Sequence, residues 1–283
     1  TPSAGGYTAS DNSPEFNSWV ESNVSDQKQD GYKTALVKLK LGDIQAEQFG
    51  QLADLSRKYA GGRVRITHQQ NMALRWVPEG ALYEVWERLK EIGFGDAGVH
   101  EITDIVSCPG TDSCKLGITS SMGLGRAVGE TLEGMEISDP LIKQMHVKMS
   151  GCPNGCSQHH VADIGFHGAA TKAPGGQVPA YELLVGGSYD GGDARMAQRV
   201  KTRIPSKQVP AALKKVLEFY RDQREEGELF KDFVQRVGSG AFEPAVSGFK
   251  EERELNRDSI DAYMDWDKTV IYKLERGEGE CAL

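Results

Sequence analysis

Two short motifs, Cys108-Pro-Gly-Thr-Asp-Ser-Cys114 and Cys152-Pro-Asn-Gly-Cys156, hold four of the five cysteines. Five residues separate the first pair and three the second. Pro109, Gly110, Asp112, Pro153, Asn154 and Gly155 favour turn conformations that helix and strand interiors rarely use, so both pairs belong on bent loops. Four thiolates on two such loops can converge on one object. Two disulfides are one reading, although no secretory leader is visible and a chain this long needs no staples to build a core. Structural zinc is a second, although its knuckles usually place about two to four residues between ligands and the first gap is wider. An iron–sulfur cluster is the third. Its ligands radiate from a body several ångströms wide, so uneven spacing is tolerated.

The second pair is embedded in KMSGCPNGCSQHHVADIGFHG. This double motif, C-x5-C followed by Gly-Cys-Pro-Asn-Gly-Cys, resembles the sirohaem and 4Fe–4S sulfite and nitrite reductases, in particular their C-terminal, cofactor-bearing half. The resemblance extends to RITHQQNMALRWV, which matches that family's T-x-x-Q-N form at Thr67, Gln70 and Asn71. It implies that Cys108, Cys114, Cys152 and Cys156 hold a 4Fe–4S cluster and that Cys156 is also the axial ligand of a sirohaem iron. Gln70, Asn71 and Asn154 become cofactor-binding candidates, with a simple turn role as the alternative for Asn154. The implied activity is an oxidoreductase reaction, the six-electron reduction of sulfite to sulfide, with nitrite to ammonia as the alternative. Gly155 leans towards sulfite, since many nitrite enzymes resemble GCPNSC. An iron–sulfur electron-transfer protein without sirohaem and a module that keeps a metal site only for stability are the other readings.

An anionic substrate and the eight carboxylates of sirohaem call for cations. Arg63, Arg65, His68, Arg75, Lys115, Arg126, His146 and Lys148 lie near the motifs. Arg63 and Arg65 share one strand face by period two, and Lys148 stands just ahead of the second cysteine loop. We take Arg65 and Lys148, with Cys156, as the catalytic candidates, and Arg63, Arg65 and Lys148 as cofactor or anion contacts; a solvated surface is the plain alternative. His159 and His160 are possible proton donors or hydrogen-bonded structural histidines. Cys281 reads as a free surface thiol, with intermolecular contact or redox partnership as the alternative.

These residues need elements to position them. Ala35, Val37, Leu39 and Leu41 alternate as in a half-buried strand. Asp43 offers an N-cap to a helix running to Gly61-Gly62. A hairpin follows, with Val64 and Ile66 expected inward on one arm and Met72, Leu74 and Trp76 on the other. A helix carries Leu82, Val85, Trp86, Leu89 and Ile92 on one face. This β-α-β-β-α unit resembles the family's half-ferredoxin repeat. Its three strands leave edges that need a partner.

Further on, the pattern predicts strands over Val99–Val106, His146–Met149, Val161–Phe166 and Tyr181–Val185. Helices are expected over Leu116–Val128, Val209 to about Gln223, and Glu228–Arg236. The fold class is thus α+β, a half-ferredoxin-like β-α-β-β-α repeat followed by a mixed α/β sirohaem and iron–sulfur domain. The expected organisation is an extended arm (1–30), a ferredoxin-like half-domain (31–97), the cofactor domain (98–248) and a wrapping tail (249–283). In full-length assimilatory members of the family it resembles, the basic residues gripping the substrate come mostly from the first half of the chain, ahead of the second ferredoxin-like repeat, whereas one repeat and one cysteine-bearing domain are read here. A pairing half is therefore expected, as a second chain or as the missing N-terminal half, though a compact one-repeat reductase also fits.

Composition narrows the class. The chain has 283 residues, 39% of them hydrophobic, which suits one large or two small domains with a real core. No apolar run reaches the roughly 18 to 20 residues of a membrane span. The expected setting is the cytoplasm or another reducing compartment, without membrane insertion. A net charge of −8 argues against a nucleic-acid partner. Between Arg195 and Arg236, however, eleven Lys or Arg face six Asp or Glu. That run reads as a solvated helical surface or as a docking face for an acidic electron donor such as a ferredoxin or a flavoprotein.

Overall fold

A computed structural model describes residues 13–189 and 191–274; the first twelve residues and Cys281 lie outside the described residues. The chain divides into two compact units, Thr1–Asp104 and Ile105–Leu283. Both mix helix with sheet, giving the expected α+β class.

In the first unit the elements run α1 (Pro14–Asn23), β1 (Val24–Asp26), β2 (Tyr32–Val37), α2 (Ala46–Tyr59), β3 (Val64–Ile66), β4 (Met72–Pro78) and α3 (Leu82–Glu91). The second half of the expected extended arm is therefore helix and strand. Ser13 caps α1 by accepting the Phe16 N–H, Pro14 sits in the first turn, and Trp19 is buried in the core beside Phe16. Helix α2 begins two residues later than Asp43 suggests, because Gln45 and Gln48 form a reciprocal capping box. Leu82, Val85, Trp86 and Leu89 of α3 are all buried, one helical stripe, each stabilising the unit by about 1.5–3 kcal/mol.

The sheet order is β1-β2-β4-β3, antiparallel throughout. Three strands were expected, and β1 adds a fourth by pairing with the outer edge of β2. Strand β3 remains terminal, and Ile66, expected inward, is 79% exposed. An alternation within three residues does not say which face the rest of the unit covers.

The second unit contains β5 (Val106–Ser107), α4 (Ser121–Glu133), α5 (Pro140–Lys143), β6 (Val147–Ser150), β7 (Ile164–Ala173), β8 (Gly176–Val185), β9 (Gln198–Pro205), α6 (Val209–Gln223), α7 (Phe230–Val237) and α8 (Glu243–Val246). Its sheet order is β5-β6-β7-β8-β9. The pairs β5–β6 and β6–β7 are parallel, and the rest antiparallel. The expected strand over Val99–Val106 shrinks to β5, and α4 starts at Ser121 rather than near Leu116, because residues 116–120 are drawn into the cysteine loops.

Strand β9 was not expected. Its Arg199, Lys201 and Arg203 face outward while Val200 and Ile204 are buried, so part of the basic run is one face of a strand. Nine of the eleven cations between Arg195 and Arg236 form ion pairs inside the chain, Arg199 and Arg203 both with the buried Glu182. That run is largely neutralised at home. Among the described residues no helix is long and apolar enough to cross a membrane.

Candidate cluster site

Neighbouring parallel strands end at the same edge of a sheet, and here that edge carries both cysteine motifs. Val106 and Ser107 of β5 lie opposite Lys148 and Met149 of β6. Cys108 follows β5 directly, and Gly151-Cys152 follows β6. The ladder extends one step further, with the Cys108 N–H donating to the Met149 carbonyl at 3.2 Å.

The two loops then bond to each other. The Gly151 carbonyl accepts from the Ile118 and Thr119 N–H groups at 2.8 and 3.1 Å, and the Gly151 N–H donates to Cys108 Sγ at 3.2 Å. Ser121 Oγ donates to the Cys108 carbonyl at 2.7 Å and lies 3.4 Å from its sulfur. Gly151 is obligatory here, since a Cβ would stand 2.6 Å from both the Gly110 Cα and the Thr119 carbonyl oxygen. Gly155 adopts φ +75°, the left-handed conformation that a tight turn between Cys152 and Cys156 requires.

All four cysteines are free thiols; Cys108 and Cys152 are buried, while Cys114 and Cys156 are exposed. Burial, followed by the sulfurs of Cys108, Cys152 and Cys114, pushes the Cys156 thiol up. The four sulfurs thus share one electrostatic environment, and a cationic guest is what would let all ionise together. Among the described residues no three His, Cys, Asp or Glu side chains are close enough to hold a single ion.

A residue pair far along the chain anchors the first loop. Asp265, buried in the tail, accepts the Ser120 N–H at 2.7 Å, the Ser206 hydroxyl at 3.0 Å and the Trp266 N–H at 2.8 Å. Lys268 reaches Asp112, between Cys108 and Cys114, at 2.8 Å, and Arg126 pairs with Asp267. Gly123 allows this approach, since a Cβ there would lie 2.5 Å from Trp266 Cβ. Nothing in the local sequence pattern announces these contacts.

The other candidates separate. Lys148 is fully buried on β6, donates to Gln158 Oε1 at 3.2 Å and lies 4.5 Å above the Tyr189 ring. His146, two residues earlier, contacts Asp163 at 3.1 Å and packs on the same ring. Gln158 was missed although it lies within the quoted motif stretch, because a neutral amide was not counted among the cations, and Tyr189 was missed because it lies outside that stretch. Asn154 is exposed at the tip of the second loop, and Lys115 and Arg126 are also exposed. Arg63 and Arg65 are exposed at and beside β3 in the first unit, where Gln70 takes φ +63° in the hairpin turn.

Asn71 is tied into the fold of the first unit. Its fully buried amide accepts the Leu39 N–H at 2.9 Å and donates to Asp104 Oδ2 at 2.7 Å, and its N–H bonds Thr67 Oγ1 at 3.1 Å. These bonds hold the T-x-x-Q-N turn. Asn71→Leu orphans the buried Leu39 N–H and leaves the buried Asp104 carboxylate with the His100 N–H but without its amide donor, and is expected to cost about 2–4 kcal/mol in urea unfolding, whether or not a cofactor is bound.

Comparison with known proteins follows the same division. A model described as the nitrite and sulphite reductase 4Fe–4S domain matches residues 98–253, and one for the nitrite/sulfite reductase ferredoxin-like half domain matches residues 25–92. The assimilatory ferredoxin-dependent nitrite reductase of Haloferax mediterranei is 29% identical over 217 residues, 76% of this chain but 36% of that protein. An assimilatory-type sulfite reductase of Nitratidesulfovibrio vulgaris is 29% identical over 192 residues, 68% of this chain and 82% of that protein. The structure of the Mycobacterium tuberculosis NirA protein superposes with a TM-score of 0.67 at 23% identity, over 78% of this chain and 41% of the other, which shows a shared fold.

Proposed function

Since the chain belongs to the nitrite and sulphite reductase 4Fe–4S family, we propose that it is a sirohaem- and 4Fe–4S-dependent reductase of a small oxyanion, or the cofactor-bearing half of one. The observation that carries this is the delivery of four free thiols to one sheet edge by adjacent parallel strands. Cys108, Cys114, Cys152 and Cys156 would hold the cluster, and the exposed Cys156 would also ligate the sirohaem iron. When bound, the two cofactors supply electrons one at a time to the anion until six have been delivered.

The chain's own residues supply charge and geometry. Lys148 keeps a cation fully buried on the strand that ends in Gly151-Cys152. Gln158 and Tyr189 fix its ammonium, so it is set to neutralise an anionic carboxylate or substrate without reorganising. Arg63 and Arg65 are retained as proposed anion or cofactor contacts, and the exposed β3 edge, with Ile66, as the place where a pairing half would add. The chain spans 36% of the Haloferax mediterranei protein, which leaves room for such a half in a longer relative. A ferredoxin or a flavoprotein is the proposed electron donor.

For the substrate we propose sulfite, on the strength of Gly155, with nitrite as the second reading because relatives of both kinds match. The purified protein is expected to show haem-like Soret and red absorption bands. With reduced methyl viologen as donor, kcat/KM is expected to be higher for sulfite, and Lys148→Met to lower it by about 100-fold. Broad cluster absorption alone, with no response to sulfite or nitrite, would favour a simple electron-transfer protein. A large preference for nitrite would reverse the choice of substrate.

A further inference from the structure

Between the cysteines of either pair stands a single charged side chain, Asp112 in the first loop. Its counter-charge comes from the tail. Lys268 Nζ lies 2.8 Å from Asp112 Oδ1, and the Ser120 hydroxyl approaches the same oxygen at 3.4 Å. The carboxylate is thus neutralised by a residue 156 positions away, beyond residue 253, where the match to the 4Fe–4S domain ends.

The turn that carries Lys268 is fixed from several sides. The Lys268 N–H closes it on the Asp265 carbonyl at 3.3 Å, and Asp267 takes φ +56°, a left-handed conformation that aspartate tolerates better than most side chains. Trp266 pins it, with Nε1–H donating to the Ser206 carbonyl at 3.0 Å and the Lys207 ammonium 4.4 Å from its ring centre. Asp267 itself pairs with Arg126 of α4. Most surface ion pairs gain little because two free side chains must be ordered to make them. Here the backbone beneath the lysine is already held against the loop it neutralises.

A 4Fe–4S cluster on four thiolates becomes more negative by one charge when it takes an electron, and its potential follows the net charge around it. A carboxylate on the loop between two ligands opposes that electron. An ammonium 2.8 Å from the carboxylate cancels most of its field at longer range. We propose that Lys268, by neutralising Asp112, holds the reduction potential of the cluster above the value the ligand loop alone would give it, so that the tail tunes electron entry. This rests on the functional reading above. Lys268 acts through Asp112, as a tuning residue and not as a ligand.

The test is an EPR-monitored redox titration of the anaerobically purified holoprotein, with iron and sulfide content measured alongside. Lys268→Gln is expected to shift the cluster midpoint to a more negative potential and Asp112→Asn to a more positive one, at wild-type iron content. The double variant should return close to the wild-type value, and Lys268→Arg, which keeps the charge, should hold it. Both single shifts should shrink as ionic strength rises, because the paired side chains are 32% and 33% exposed. A tie that only holds the loop in place predicts shifts of one sign, since either substitution breaks the same bond. Shifts of one sign, or wild-type potentials in both single variants, would overturn the proposal. Should Asp112→Asn take up no cluster, Lys268→Gln against Lys268→Arg decides: a negative shift in the first alone supports the proposal, and equal potentials sink it. A wild-type protein that takes up no cluster would overturn the functional reading itself.

Discussion

Cys108→Ala is expected to reduce bound iron and sulfide to background and to lower reductase activity by more than about 100-fold, while the far-ultraviolet circular dichroism stays that of the wild type. Ligand loss should exceed the roughly 10- to 100-fold penalty typical of residues that only support a metal ligand. Cys108 is the most consequential of the four for a structural reason. Its backbone extends the β5–β6 ladder, and its sulfur receives the Gly151 N–H from the other loop. Removing the sulfur takes away both a proposed ligand and a side-chain bond that registers the two loops. The fold survives because the loops remain tied through the Gly151 carbonyl and its two backbone donors. Unfolding of the Cys108→Ala chain would favour a metal held only for stability.

A second large expected effect, on stability, lies outside the motifs. Asp265→Ala strands the Ser120 and Trp266 N–H groups and the Ser206 hydroxyl, and is expected to cost about 2–4 kcal/mol in urea unfolding. Asp265→Asn should recover only part of this. Each carboxylate oxygen accepts a backbone N–H, so an amide must turn its NH2 towards one of them. The pH dependence has a definite sign. Burial raises the Asp265 carboxyl above the usual range, opposed by the Ser120 and Trp266 N–H groups and the Ser206 hydroxyl. A carboxyl raised in the fold binds its proton more tightly there than in the unfolded chain. Its contribution is therefore greatest at low pH and declines as pH rises from the unfolded value through the folded one. The deficit of Asp265→Ala should accordingly be larger in acid and shrink towards neutrality; a deficit that grows with pH would contradict this assignment. Loss of the anchor should also loosen the loop bearing Cys108 and Cys114, read as slower cluster uptake.

Much of this architecture could be read from local pattern. The hairpin, the buried stripe of α3, the helix at Val209–Gln223 and the two cysteine turns each depend on neighbours two to four residues apart, and such spacing is written in the chain. Misreadings came where local pattern was silent or ambiguous. Ile66 has the period of an inward residue but lies exposed on β3, the terminal strand of the described sheet. The cations of β9 looked like a helical surface because the charge run continued into α6. That Asn71 bonds the Leu39 N–H, Thr67 and Asp104 was equally invisible in local spacing.

By itself the sequence determined the donor set: four thiols on two turns, with glycines where the backbone must bend. It also determined the β-α-β-β-α pattern and the excess of acid over base. Only the tertiary structure decided that the two turns meet, because parallel pairing of β5 with β6 joins segments about forty residues apart. It also decided that Asp265 holds Ser120 across 145 positions and that most of the basic run is neutralised within the chain. The physical reason is the same in each case. Short-range spacing is set by the geometry of one element, whereas a buried carboxylate or an aligned strand end finds its partner only when the whole core closes around it.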